Sequence, residues 1–285
     1  MTQREIEGIF KKRFEKINTA FDSVRLHFIE DDIRIFRVKV KKLQACLRLM
    51  DAAKGHPHSH QLPQKIVKLY KISGAIRTLQ MQQSHVRNTL NEEQIVLPEV
   101  YLALMSNKIL HHIETATKLI SGSRPFEKSE IKLLHLLPHH LSPKTIGKFI
   151  ASEEGILEKL LSPVFLTDKS FHAIRKLLKN LLYLFPYIET DISALSAYAL
   201  LSNLENIDSF TKILGSFHDL NTAIACLHTE CLNIEINENE KIVLRNIEST
   251  WIKERAAIHE KIYDQIHKII ASRRPAKFLA KWPVM

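Results

Sequence analysis

Residues 34–50 read RIFRVKVKKLQACLRLM, and residues 172–188 read HAIRKLLKNLLYLFPYI. Set over one another at an offset of 138, they place Arg37 on Arg175, Lys41 on Lys179, Leu43 on Leu181 and Leu47 on Phe185, with Arg34 over His172. Downstream, KISGAIRT (71–78) lies over KILGSFHD (212–219) at an offset of 141. This register pairs Lys71 with Lys212, Gly74 with Gly215, Arg77 with His218 and Thr78 with Asp219. The change of offset falls between the two blocks, where a loop tolerates insertion. Only 7 glycines occur in 285 residues, and two of them coincide here. The pattern reads as a duplicated helical unit.

The first copy shows what the unit carries. At about 100° per residue, Arg34, Arg37, Lys41, Gln44 and Arg48 fall within a stripe ~80° wide. Ile35, Phe36, Val38, Leu43, Leu47, Leu49 and Met50 occupy much of the remaining circumference. A surface helix has a limited apolar stripe and a broad polar face; this one is nearly the reverse. Its cations are therefore expected to line a crevice rather than open solvent. In the second copy His172, Arg175 and Lys179 repeat the stripe, Lys176 lies beside it, and Leu182 and Pro186 end it early. By the same periodicity Lys39 and Lys42 are peripheral.

Outward from these blocks the chain reads as helix almost throughout, with apolar residues at i, i+3, i+4 and i+7. Breaks rich in Pro, His, Ser and Asn are expected at 54–64, 121–130, 137–144, 162–169, 186–192 and 233–240. No alternating run bounded by Asn-Gly or Asp-Gly announces a hairpin. The fold class is all-α, with about nine or ten helices.

Composition narrows the function. Lys and Arg number 41 against 31 Asp and Glu, a net charge of +10. Residues 1–120 hold 20 basic and 12 acidic residues, so most of the surplus sits in the first half. Such a surplus suits an anionic partner. The sequence lacks GxGxxG, GxxxxGK[ST] and GxSxG, which removes the commonest nucleotide and hydrolase loops. Cys46, Cys226 and Cys231 form no CxxC, which argues against a zinc ribbon or a disulfide framework and fits a reducing compartment. Apolar runs are far shorter than the ~20 residues that span a bilayer. The opening MTQREIEGIFKKRFEK has no apolar h-region, so no signal peptide is expected. A cytoplasmic protein is the expectation.

The segments RxxRVxxKKLxxxLRL (34–49) and HxxRKxxKxLxY (172–183), with the paired [SL]Gxx[RH][TD] turns at 73–78 and 214–219, resemble the CHAD family, the conserved histidine α-helical domain. The resemblance runs from about residue 15 to 270. It implies a single domain over 1–285 made of two pseudo-symmetric four-helix units, about 15–120 and 145–270, packed around a central basic groove or pore. Residues 271–285 would then form a basic C-terminal tail. It further implies binding of inorganic polyphosphate and, in some members, association with polyphosphate granules. Arg37, Lys41 and Arg77 match the motif in the first copy, and His172, Arg175, Lys179 and His218 in the second. Arg34 stands where the first histidine belongs, and Thr78 where the first turn has Asp.

The expected binding residues are Arg34, Arg37, Lys41, Arg48, Lys71, Arg77, His172, Arg175, Lys179, Lys212 and His218. Arg brings forked donors and Lys compact charge, and helical spacing sets successive cations ~5–6 Å apart. That suits a repeating polyanion, with binding weakened by salt and strengthened at mildly acidic pH by the histidines. No catalytic residue, metal or cofactor is expected. Two other readings compete. One is a general polyanion or nucleic-acid-binding module, for which base-stacking aromatic clusters are lacking. The other is an HD-type metal phosphohydrolase using His172, His218, Asp219 and Asp264. The histidine loop at 56–60 and the set Cys226, His228 and Cys231 read as weak metal candidates beside it.

Overall fold

The computed structural model describes residues 1–54, 61–93, 97–119, 126–161, 166–195, 197–230 and 236–273. Helix α1 (Gln3–His27) opens with a capping box, in which Thr2 caps the Glu5 N–H and the Glu5 carboxylate accepts from the Thr2 N–H at 2.7 Å. Ile6, Phe10, Phe14, Ile17, Phe21 and Val24 recur at three- and four-residue spacing and are all buried. The helix ends at Phe28, whose φ of 50° is the left-handed conformation. That conformation costs a side-chain-bearing residue about 1–2 kcal/mol. Burial of its ring and a 2.8 Å hydrogen bond from Gln80 Nε2 to its carbonyl hold it there. The chain reverses at once into α2 (Glu30–Lys54). No Gly or Pro marks this turn, so sequence reading does not anticipate it.

The remaining helices are α3 (Gln64–Glu93), α4 (Glu99–Leu119), α5 (Glu127–Leu134), α6 (Pro143–Leu161), α7 (Asp168–Leu195), α8 (Leu204–Glu230) and α9 (Glu238–Ala271), with a 3-10 turn at Ala199–Ser202. Among the described residues the only β pairings are isolated bridges, Thr2 with His140 and Tyr198 with Arg273. The all-α expectation is met. The break expected at 186–192 takes the form of a kink at which two helical stretches meet, not of a loop. Pro186 lies inside α7 and produces a kink at Ile188 (φ −133°, ψ 15°). Proline removes one backbone donor and crowds the carbonyl a turn earlier, but Ile188 stays buried and the helix resumes. Conversely, a break between Glu93 and Glu99 went unread, although Pro98 stands directly before α4. The histidine loop at 56–60, Cys231 and residues 274–285 of the expected tail lie outside the described residues. Arg273, just before them, is ion-paired with Glu158.

Packing follows chain order. Helices α1 to α4 contact one another in succession, and so do α6 to α9. Across the middle, α2 meets α6 and α7, and α3 meets α8 and α9. The main apolar core joins α1, α2, α6 and α7 and extends to Leu69 and Ile76 of α3, Phe210 and Phe217 of α8 and Ile262 and Ile266 of α9. A second core gathers Val86 and Leu90 of α3, Tyr101 and Met105 of α4, Leu220 and Leu227 of α8, and Ile247 and Trp251 of α9. Gln82 is buried beside it, donating to the Tyr101 hydroxyl (2.9 Å) and the Ala223 carbonyl (3.3 Å). No helix among the described residues is long and apolar enough to cross a membrane.

The α2–α6 junction carries an ion pair. Arg48 Nη2 lies 2.7 Å from Glu153 Oε1, and the glutamate side chain is 4% exposed against 37% for the arginine. Burial pushes the Glu153 carboxyl up and Arg48 pulls it back. Truncating one partner of a buried pair strands the other charge. Arg48→Met is therefore expected to destabilise the fold by about 2 kcal/mol, less than for a fully buried pair because water reaches the guanidinium. Urea unfolding at pH 7 measures this, and Arg48→Met/Glu153→Met should recover most of the loss.

Candidate functional site

Where α2, α3, α7 and α8 meet they enclose a cavity of about 460 Å³. Helix α2 supplies Arg37, Lys41 and Gln44 to its wall, and α3 supplies Tyr70, Gly74, Arg77, Thr78, Met81, Gln82 and His85. From α7 come His172, Arg175, Lys176, Lys179, Asn180 and Tyr183, and from α8 His218, Asp219, Thr222 and Ala223. Six Lys and Arg residues face one carboxylate, Asp219.

The two arginines shared by the sequence blocks each lie against a glycine of the next helix. Arg37 donates to the Tyr70 carbonyl and lies over the Tyr70 ring, 4.1 Å from its centroid. A Cβ on Gly74 would come within 2.9 Å of the Arg37 Cζ. On Gly215 it would stand 3.4 Å from Arg175 Nε. Gly74 is the flat spot on α3 across which the Arg37 guanidinium lies, whereas Arg175 passes Gly215 at ordinary contact distance. A charge-assisted hydrogen bond is worth about 1.5–3 kcal/mol and a desolvated cation–π contact up to about 2. Together they hold Arg37 among like charges.

Three buried N–H donors in the wall have no acceptor in the protein: Arg77 Nε, Arg175 Nε and Asn180 Nδ2. Buried donors are rarely left so. Burial depresses Lys41 to about 8, helped by repulsion from Arg37, Arg175 and Arg77 and opposed by Asp219. The rings of His172 and His218 are 4.7 Å apart. Burial lowers both below the ordinary histidine value, as do Arg175 and Lys41. Both are therefore neutral at pH 7. Lys179 differs from Lys41 in having a counter-ion, Asp208 at 3.1 Å, which also binds Lys212 at 2.9 Å. Those two lysines pull the Asp208 carboxyl down.

Seven of the eleven residues named from sequence line the cavity: Arg37, Lys41, Arg77, His172, Arg175, Lys179 and His218. Arg34, Arg48, Lys71 and Lys212 do not. The α2 stripe from Arg34 to Arg48 is ~21 Å long at 1.5 Å per residue, whereas its cavity-lining part, 37 to 44, spans ~10 Å. Arg34 at one end pairs with Asp31 at 3.0 Å, and Arg48 at the other holds Glu153. Lys71 is exposed, and Lys212 is turned to Asp208 and solvent. Sequence reading left out Tyr70, Asn180 and Tyr183, since tyrosine and asparagine on a helix carry no charge signal. For metal chemistry, Asp264 is absent from the wall. No three His, Cys, Asp or Glu residues converge in a metal-holding group among the described residues. His228 faces Glu248 at 3.4 Å.

Residues 8–228 match the family model described as CHAD domain. Among curated proteins no match is found. The solved structure of PptA from Streptomyces chartreusis superposes with a TM-score of 0.69 at 13% identity, covering 94% of this chain and 99% of that one. The likeness is one of fold.

The glycine contacts separate two otherwise similar substitutions. Gly215→Ala meets ordinary contact and gains helix propensity of about 1 kcal/mol, so its thermal midpoint should rise. Gly74→Ala must displace Arg37 from Tyr70, and differential scanning calorimetry should show no gain.

Proposed function

The chain belongs to the CHAD family, which associates it with polyphosphate, and from that premise we propose that it binds inorganic polyphosphate in the cavity between α2, α3, α7 and α8. Binding without turnover, and action in the cytoplasm at polyphosphate granules, belong to the same proposal. So does treating α1–α4 and α6–α9 as the two copies of the sequence repeat. The observation that carries it is the wall itself. Buried donors without acceptors and six cations opposed by one carboxylate call for an anion that presents oxygens in several directions. A polymer of phosphates does this in every register. The neutral histidine pair adds donors that strengthen on protonation.

The residues divide the work. Arg37, fixed over Tyr70, and Arg175, lying against Gly215, would position phosphate oxygens. Arg77 and Asn180 offer donors directly. Lys41, without an ion pair among the described residues, would supply mobile charge, and Lys179 supplies charge already half-compensated by Asp208. Phosphohydrolysis through a metal would need a cluster of ligands, and among the described residues none converges, Asp219 being the one carboxylate of the wall.

Titration calorimetry with long-chain polyphosphate, tripolyphosphate, orthophosphate and duplex DNA tests the reading. Polyphosphate should bind tightest, and the six cavity cations should contribute about −4 to its log–log salt slope at ~0.7 per contact. Arg77→Ala/Lys176→Ala should reduce that slope by about 1.4. DNA binding of equal strength, lost in the same variant, would favour the general polyanion reading.

Proton linkage gives a second check. Lys41 is depressed to about 8 in the free protein, and an anion beside it restores its charge. Binding at pH 8 should therefore take up protons, seen as a dependence of binding enthalpy on the buffer's ionisation heat. Affinity should fall as pH rises through about 8. The unfolded chain, with the ordinary lysine value, binds more protons between about 8 and 10.5, so the ligand-free fold gains stability across that window as pH rises.

A further inference from the structure

Beside Tyr183, which lines the cavity, stands a second group of cations that are not part of its wall. Lys42 Nζ stands 5.8 Å from the Tyr183 ring centroid. One turn further along α7, Tyr187 accepts a 2.9 Å hydrogen bond from Arg13 Nη2, and the Arg13 Cζ lies 5.6 Å from its ring centroid. Lys16 follows Arg13 by one turn on α1, and Lys39 precedes Lys42 by one turn on α2. Among the described residues none of these four cations makes an ion pair. Arg13 Nε is buried without an acceptor, as are the donors of the cavity wall. Lys42 is pushed below the usual lysine value by burial and then by Arg13, Lys39 and Lys16. The patch has a boundary: the groove between α1 and α2 that includes Lys16 and Lys39 also holds Glu15 and Asp32, which mark its acidic edge.

We propose that this patch is an exit track, in which Lys42, Arg13, Lys16 and Lys39 bind the phosphates of a polyphosphate chain that leaves the cavity past Tyr183 and Tyr187. This rests on the cavity reading and extends it. Two tyrosines one turn apart on α7, each with a cation beside its ring, form a ledge that joins the two sets of charges. The cavity alone holds a short oligomer, whereas the ledge and patch serve only a ligand long enough to reach them. The track thus makes chain length a determinant of affinity. Helical periodicity puts Lys39 and Lys42 off the α2 stripe, which is why sequence reading treats them as peripheral. Their use comes from α1, whose Arg13 and Lys16 meet them across the helix pair.

The test compares Lys16→Gln/Lys42→Gln with the native protein, using tripolyphosphate and long-chain polyphosphate as the two probes. Tripolyphosphate affinity should be unchanged, long-chain affinity should drop about tenfold at low salt, and the long-chain salt slope should shrink by about 1.4. Arg13→Gln, checked for native helicity by circular dichroism, should weaken the long chain in the same selective way. Equal loss for both probes, or no loss for either, would overturn the track while leaving the cavity reading standing. Native protein that binds neither probe would overturn both.

Discussion

Six cationic side chains converge on one cavity, and most of the fold serves to resist their repulsion. Without an anion, the like charges of Arg37, Lys41, Arg77, Arg175, Lys176 and Lys179 favour separating the helices that bear them. Two apolar cores oppose this, the larger drawing on α1, α2, α3, α6, α7, α8 and α9 and the smaller on α3, α4, α8 and α9. Within the wall, Arg37 is tied down by Tyr70, and Lys179 is compensated by Asp208. Burial first, and the neighbouring cations after it, hold Lys41, His172 and His218 below their ordinary values.

The fold class was legible because helical period and the scarcity of glycine both point one way. Boundaries were legible only where residues with special backbone preferences stand at them. The α1–α2 turn is built on Phe28, whose left-handed conformation is imposed by burial and by Gln80, a residue 52 positions away. Such a tertiary constraint leaves no local trace. Pro186 is the opposite case: its local signal is strong, and the backbone leaves helical geometry two residues later, at Ile188.

The wall residues were legible to the extent that periodicity places them on one face. Periodicity gives direction around a helix but not how far along it a neighbour extends. Arg34 and Arg48 share the direction of Arg37 and Lys41, yet they lie beyond the crossing and find acidic partners there. Tyr70 and Tyr183 were illegible for another reason, since what they contribute is a ring beneath a neighbouring cation, and only assembled helices reveal it.

The unequal treatment of Lys41 and Lys179 has a further meaning for a ligand made of identical units. A uniform polymer has no preferred direction and no preferred position, so every placement of it along a uniform groove would be degenerate. One side of this cavity carries a lysine already shared with Asp208, and the other carries one without an ion pair among the described residues. The pairing cannot lift that degeneracy, because moving such a chain by one unit restores every contact. What it sets is how the load is shared: a bound polyanion would be held unevenly across the cavity, drawn more to the wall of α2 than to that of α7.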